Sequence, residues 1–292
     1  MKTIEIDKPS NPVAMYLGAL LSSGKRAGAI KSLPSVTYVR PHVVLDSAHI
    51  AQYANLCGLP EAQGVPITYP QLLTFPLLMA FIGSVDCPWP AMGTVHLANR
   101  IAQRQGLNPG DALRVEFTTG HLFAHDKGQV FTLEMKVLRD GDTVWEATQS
   151  LLRMGVKNPS GPPFVAKLNQ DTPLSHQADF LAAGDIGRRY GLISGDLNPI
   201  HISALSARLF GFRRAIAHGM WTNARALAAL LPAEAVTQAE LTVEFKTPLW
   251  LPASPSLWAT RATSGPFSQN ALFEVRNAKG DKPHLRGHLS CQ

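Results

Sequence analysis

The hydrophobic pattern of the chain passes twice from a helix-like period to a strand-like one. In each half, a helix-like stretch precedes short runs rich in apolar and β-branched residues, as expected of strands in a sheet. These runs cover residues 113–117, 130–138 and 144–151 in the first half, and 241–245, 257–260, 272–275 and 285–289 in the second. The pattern predicts, in each half, a helix followed by an antiparallel meander.

Turn residues support this division of the chain. Arg139-Asp140-Gly141-Asp142 and Lys279-Gly280-Asp281 occupy matching places between strand-like runs and are typical of hairpin turns. Residues 155–171 are rich in proline and glycine and have no apolar period, which indicates an exposed connection. We therefore predict one domain over residues 1–155, a linker over 156–171 and a second domain over 172–292.

A short internal repeat indicates that the two halves are related. The run 53–58, from Tyr53 to Gly58, lies 137 residues before the run 190–195, from Tyr190 to Gly195. The two copies then diverge, because Leu59-Pro60 follows the first and a polar segment, 196–201, follows the second. By this alignment, only the second half keeps residues suited to chemistry.

Composition and charge narrow the class of protein. The 292 residues are 45% hydrophobic and 16% charged, which is typical of a globular protein with a substantial core. The net charge is +6, but the basic residues are scattered, which favours small anionic ligands over nucleic acid. Three cysteines show neither metal-ligand spacing nor a disulfide framework. The start of the sequence is not typical of a signal peptide, because Gly18 interrupts the apolar segment 13–21. No stretch is long and apolar enough to predict a membrane span. We therefore expect a cytoplasmic protein.

Asp196 and His201 are the first candidates for catalysis. Five residues apart, they would diverge on one continuous helix, so the chain must turn between them. Gly195 and Asn198-Pro199 supply that turn, since proline suits the first position of a helix and disfavours helical geometry at the residue before it. Asn198 is then the N-cap of a helix over residues 201–210, with His201 in its first turn.

His218 and Gly219 form the second element of the candidate site. They open an apolar-periodic helix over residues 220–231, which ends at Pro232. Free N–H groups and the positive end of the helix dipole meet at such a start, and glycine allows a ligand oxygen to approach closely. Together with an acid and an imidazole, this arrangement suits elimination or addition of water next to an activated carbonyl.

These residues resemble a known signature. The run Tyr190-x-x-x-Ser194-Gly195-Asp196-x-Asn198-Pro199-x-His201, followed by Ala217-His218-Gly219-Met220, is similar to that of MaoC-like (R)-specific enoyl-thioester hydratases, also called hydratase 2. Segments 66–70, 73–76 and 92–96 of the first half resemble the degenerate half of two-domain (3R)-hydroxyacyl-thioester dehydratases of the mycobacterial type.

The resemblance implies an α+β fold, the double hot-dog, with one active site per chain. It implies that Asp196 and His201 are the catalytic pair and that the Gly219 N–H binds the thioester oxygen. Substrate-binding or structural roles fall on four further residues of the motif: Asn198, Ser194, Tyr190 and His218. It implies hydro-lyase activity on acyl-CoA or acyl carrier protein thioesters, with no cofactor and no metal, and it leaves a homodimer open.

Several alternatives accompany this interpretation. The same fold could carry a thioesterase or a non-catalytic acyl-thioester-binding protein. His121 and His125, beside Asp126, have the residue types of a metal site but no third cluster to complete it. Arginines near the motif could attract carrier phosphates or simply form a solvated face: Arg188, Arg189, Arg208, Arg213 and Arg214. In the first half, Pro70 and Pro76 are expected to interrupt the helix 69–82 and leave room for a long acyl chain.

Overall fold

The computed structural model describes residues 2–7, 24–25, 28–168, 172–232, 234–260 and 270–291. The segment 13–21, on which the expectation of no signal peptide rests, and residues 169–171 of the expected linker lie outside these ranges. Within the described ranges, no helix is both long and apolar enough to cross a membrane.

The dominant feature of the described part of the chain is a single sheet of eleven strands. The strands are β1 (Lys2–Glu5), β2 (Val36–Val44), β3 (Thr94–Gln103), β4 (Ala112–His125), β5 (Gly128–Arg139), β6 (Asp142–Met154), β7 (Ser175–Asp179), β8 (Ala239–Phe245), β9 (Ser256–Ala259), β10 (Asn270–Arg276) and β11 (Pro283–Cys291).

The order of the strands repeats between the halves. Across the sheet they lie as β1-β2-β4-β5-β6-β3-β8-β11-β10-β9-β7. Apart from the parallel pair β1–β2, neighbouring strands are antiparallel. The connectivity of β2-β4-β5-β6-β3 is the same as that of β7-β9-β10-β11-β8. Antiparallel pairing of β3 with β8, which places Ile101 opposite Leu241, joins the halves into one continuous sheet.

Among the described residues, six α-helices accompany the sheet. They are α1 (Ser47–Cys57), α2 (Pro70–Gly83), α3 (Ile186–Ser194), α4 (Pro199–Ile202), α5 (Ala204–Arg208) and α6 (Gly219–Leu230). Helix α2 is apolar on nearly every side and packs against β2 and β4, whereas α6 packs against β10 and β11. Each half therefore wraps an antiparallel sheet around one central helix, because an all-apolar helix is stable only when it is enclosed.

The predicted strand runs all overlap observed strands, and the two predicted hairpin turns are also confirmed. Asp140 and Gly141 both have positive φ, as a type I′ turn requires, and Gly280 has φ 75° in the β10–β11 turn. The expectation that each half starts with a helix is wrong, because β2 and β7 come first. Neither strand shows a clean period: β2 carries a bulge after Arg40, and β7 is largely exposed and polar.

The expected interruption of the first central helix is also wrong. Pro70 occupies the first helical position, where no N–H is needed, and α2 continues through Pro76 to Gly83. Proline in the interior removes only one intrahelical hydrogen bond, and the surrounding core holds the helix together. Because α2 is continuous, it gives no support to the expectation that an interrupted helix leaves room for a long acyl chain.

Candidate active site

The repeated tyrosines meet in the interior between the halves. The rings of Tyr53 on α1 and Tyr190 on α3 lie 6.2 Å apart, centroid to centroid. Both helices end at a glycine in the left-handed conformation, Gly58 and Gly195. The residues that follow Gly195 form the candidate site, while those that follow Gly58 include no acid or imidazole until Glu61.

A chain of short-range hydrogen bonds shapes the turn after α3. The Asp196 N–H donates to Ser194 Oγ at 3.2 Å, and Asp196 Oδ1 accepts from the Asn198 N–H at 3.2 Å. Asn198 Oδ1 in turn accepts from the Ile200 N–H at 3.3 Å and caps α4, with Pro199 at its first position. The predicted N-cap role of Asn198 is confirmed, and the turn brings residues 196 and 201 into one site.

The helix expected over residues 201–210 is instead two short helices, α4 and α5. Ser203 adopts an extended conformation between them and caps α5 through a reciprocal capping box with Ser206. A serine hydroxyl that accepts hydrogen bonds from the free N–H groups of a new helix favours a new helix start at this position over one continuous helix. His201 consequently lies in the single turn of α4, not in the first turn of a longer helix.

His201 is held in one tautomer. Its Nδ1–H donates to the Ile216 carbonyl oxygen at 2.8 Å, which leaves Nε2 with a lone pair. The residue is only 9% exposed, and burial lowers its pKa from the ordinary value of 6.5, although Asp196 and the Ile216 carbonyl act in the opposite direction. His201 is therefore a neutral imidazole, with Nε2 available as a base.

His218 supports both candidate catalytic residues. Its Nε2–H donates to the Asp196 carbonyl oxygen at 2.9 Å and lies 3.7 Å from Asp196 Oδ2. Its ring stacks on that of His201 and lies 4.9 Å from that of Tyr190. Burial and, to a lesser extent, the neighbouring His201 together lower the pKa of His218 to about 3, against the opposing effect of Asp196. A neutral His218 thus connects the Asp196 backbone to the face of the His201 ring.

Asp196, His201 and His218 offer ligand atoms within 4.8 Å of one another, a grouping that resembles a metal site. The stacked rings do not fit that use, because the nitrogen lone pairs lie in two nearly parallel planes and cannot converge on one ion. His218 also commits Nε2–H to a carbonyl oxygen. His121 and His125 lie on β4 and belong to no such group among the described residues.

Gly219 begins α6 next to this cluster. Among the described residues, none accepts a hydrogen bond from its N–H, as expected for the first turn of a helix. A Cβ at this position would lie 2.6 Å from the Phe245 ring, so glycine is also required for packing. The N–H remains available to a ligand oxygen, and the helix dipole favours the negative charge that such an oxygen develops.

The first half of the chain also contributes to the site, which sequence reasoning missed. His96 on β3 packs its ring 4.8 Å from that of Phe245, and its Nε2 is buried with no partner among the described residues. Burial lowers the pKa of His96 to about 4, and only the Asp196 carboxylate and a bond to the Ala98 backbone oppose this. His96 stands in the segment 92–96, but only its position in space, against the Phe245 ring that borders Gly219, reveals that it lies near the site.

This geometry defines a class of protein. A base, a carboxyl group and a free helix N-terminus converge beside a central helix, in a chain that wraps two such helices in one antiparallel sheet. That is the double hot-dog arrangement, with the candidate site in the second half. The MaoC like domain model matches residues 168–248, which include Asp196, His201 and Gly219.

Similarity to known proteins identifies the family. The chain is 33% identical over 253 residues to 3-hydroxyacyl-thioester dehydratase X of Mycobacterium tuberculosis, and the match covers 87% of this chain and 88% of that protein. A crystal structure of the M. tuberculosis protein HtdX matches 88% of this chain and 100% of its own, at 30% identity and a TM-score of 0.71. An M. tuberculosis protein described as having a double hotdog fold matches at 12% identity, with a TM-score of 0.55 over 91% of this chain and 96% of its own. The chain belongs to the MaoC-like dehydratase family, and its fold is a double hot-dog.

Proposed function

We propose that this protein is a hydro-lyase that interconverts (3R)-3-hydroxyacyl thioesters and trans-2-enoyl thioesters plus water. The observation that carries this proposal is the free Nε2 of the neutral His201 imidazole beside the Asp196 carboxyl group, next to the unpaired N–H at the start of α6. Membership in the dehydratase family supports it. The reaction is redox-neutral, so it requires no electron-accepting cofactor.

In the dehydration direction, His201 Nε2 takes the proton from the α-carbon. The electrons of that C–H bond form the double bond to the β-carbon as the β-carbon–oxygen bond breaks, and the Asp196 carboxyl group delivers its proton to the departing hydroxyl, which leaves as water. The Gly219 N–H stabilises the charge that develops on the thioester oxygen. Proton transfer from His201 to Asp196 restores the starting state. In the reverse direction, the pair holds a water molecule and adds it to one face of the double bond.

A division of labour between the halves accompanies this mechanism. We propose that residues 1–155 form a degenerate domain that accommodates the acyl chain, that 156–171 link the domains, and that 172–292 carry the chemistry. Two observations support the first role: Phe75 of α2 borders Gly195, and His96 packs against Phe245, which in turn borders Gly219. Chain-length selection by the first half predicts turnover of medium or long acyl thioesters.

The compartment and assembly are further parts of the proposal. Cys57, Cys87 and Cys291 are all buried free thiols, which fits the reducing cytoplasm. The pairing of β3 with β8 gives one chain the continuous sheet that a single hot-dog would need a second copy to form. Both a monomer and a homodimer are consistent with that arrangement.

A hydration assay tests the proposed function. The protein is mixed with crotonyl-CoA and, separately, with trans-2-octenoyl-CoA, while the enoyl absorbance, the free thiol and the configuration of the product are measured. We expect loss of enoyl absorbance, an intact thioester and a (3R)-3-hydroxyacyl product. Release of free thiol would identify a thioesterase, and saturable binding without conversion would identify a non-catalytic acyl-thioester-binding protein.

A further inference from the structure

The described arginines fall into two groups. One group donates to a carboxylate or to a backbone carbonyl, as Arg104 does to Glu146, Arg139 to Asp111 and Arg225 to Cys57. The other group donates to neither kind of acceptor among the described residues, and all its members lie between residues 188 and 214: Arg188, Arg189, Arg208, Arg213 and Arg214. Unpaired guanidinium groups are therefore concentrated in one short segment of the chain.

Exposed leucines occupy the same segment. Leu192, Leu205 and Leu209 are 70%, 74% and 79% exposed, although leucine is among the residues that proteins bury most often. Leu192 shares the outer side of α3 with Arg188 and Arg189, and Leu205 precedes Arg208 on α5. Solvent-exposed apolar side chains between unpaired cations are typical of a surface that a partner covers.

We name as the α3–α5 surface the exposed side chains Arg188, Arg189, Leu192, Leu205, Arg208 and Leu209. This surface adjoins the turn 195–201, which carries Asp196 and leads to His201. Helix α3 packs so closely against that turn that a Cβ at Gly191 would lie 2.7 Å from the Asp196 carbonyl oxygen. The short helix α4, which carries His201, immediately precedes α5.

The net charge of the segment is positive, and its cations are all of one chemical type. Residues 180–216 hold five arginines against two aspartates, and there is no lysine from residue 168 to residue 245. Protein interfaces are enriched in arginine and depleted of lysine, because a guanidinium group forms planar, bidentate hydrogen bonds with carboxylates and loses water more readily. The composition favours a carboxylate-rich protein partner.

We infer that the α3–α5 surface docks an acidic, helical acyl carrier protein, which delivers the thioester to the site on its phosphopantetheine arm. The inference rests on the proposed function, in which the substrate is a thioester that either a nucleotide or a protein must carry. The arginines match carboxylates along the carrier, and the leucines match apolar side chains between them. A nucleotide carrier would engage the cations through phosphates but would leave the three leucines uncovered.

The test compares the two carriers directly. The kcat/KM for hydration of a trans-2-octenoyl chain is measured on acyl carrier protein and on CoA, at low and high salt, for the wild type and two double variants, R188E/R189E and L205S/L209S. K279E, in the β10–β11 turn, is the matched control for a change of charge. Binding of holo-carrier protein, measured by titration, gives a readout that needs no catalysis.

We expect both double variants to lower kcat/KM for the carrier-protein substrate about tenfold or more, through KM, with less than about a twofold change for CoA. High salt should lower the kcat/KM of the wild type for the carrier-protein substrate but not for the CoA substrate. The kcat/KM values of K279E should equal those of the wild type on both substrates. Equal losses on both carriers would assign the surface to nucleotide phosphates and overturn the inference. It would also be overturned by normal hydration of octenoyl-CoA without measurable carrier binding, a result that leaves the proposed function intact. Carrier binding without hydration of either substrate would instead refute the proposed function and leave the docking surface standing.

Discussion

The imidazole ring of His201 lies on that of His218, with 3.7 Å between centroids and 27° between planes. Two stacked, buried imidazoles cannot both carry a positive charge, and burial already lowers the pKa of each. The pair is consequently neutral at physiological pH. This neutrality leaves His201 able to accept a proton, which is the role that the proposed dehydration requires.

Removal of the supporting ring should change the pH dependence of the reaction. His218→Ala admits water beside His201, which reduces the desolvation that lowers its pKa and moves the acid limb of the kcat/KM profile to higher pH. We expect a loss of activity of about tenfold or more at neutral pH, because the Asp196 backbone also loses a hydrogen bond. A pH–rate profile checks this. An unshifted acid limb in His218→Ala would show that the ring acts only as packing.

Buried neutral histidines should make the fold sensitive to acid. His96 has a pKa of about 4 in the folded chain and an ordinary value of 6.5 when unfolded, so between these values the unfolded state binds one more proton. Its contribution to the free energy of unfolding is fully present above pH 6.5 and is lost as the pH falls towards 4, by about 1.4 kcal/mol per pH unit.

Denaturant titrations from pH 7.5 to 4.5 measure this slope. His96→Gln should flatten it by about one proton relative to the wild type. If this variant keeps the wild-type slope, His96 is not the group that takes up the proton.

Two variants separate the packing role of Gly219 against Phe245 from its proposed catalytic role in binding the thioester oxygen. Gly219→Ala places a methyl group 2.6 Å from the Phe245 ring, so overpacking should cost about 1–3 kcal/mol of stability. Adding Phe245→Leu relieves that contact but leaves a methyl group beside the N–H that is proposed to bind the thioester oxygen. We expect the double variant to regain its thermal stability without regaining turnover. Recovery of both would reduce Gly219 to a packing residue.

Asn198 should act through its side-chain oxygen. Asn198→Ala removes the cap of α4 and is expected to cost about 1 kcal/mol, whereas Asn198→Asp keeps an acceptor for the Ile200 N–H. Because the cap shapes the turn between Asp196 and His201, turnover should fall with Asn198→Ala and fall less with Asn198→Asp. Chemical denaturation and kcat measured together check both effects, and equal stability of the two variants would contradict the capping role.

Local chemistry explains which features the sequence revealed. The turn from Gly195 to His201 was predictable, because proline, glycine and asparagine each restrict the backbone within a few residues. The break at Ser203 was equally local, but the apolar period across residues 201–210 obscured the serine cap. Strands β2 and β7 were not predicted, because a bulge disturbs the alternation of β2 and because β7 is largely exposed and polar.

Contacts between distant segments were beyond the reach of the sequence. The Ile216 carbonyl that fixes the His201 tautomer is one such partner, because a backbone acceptor has no residue signature. The approach of His96 to the site depends on the pairing of β3 with β8, which brings His96 and Phe245 into contact. Such a long-range pairing leaves no pattern in either strand alone.

The most direct test of the central claim is the rate of octenoyl-CoA hydration by the wild type, Asp196→Asn and His201→Gln, with folding of each variant verified by its thermal transition. The account predicts that each folded variant loses about 10²–10⁴-fold in kcat. A folded variant that hydrates octenoyl-CoA at nearly the wild-type rate would contradict the assignment of Asp196 and His201 as the acid and the base.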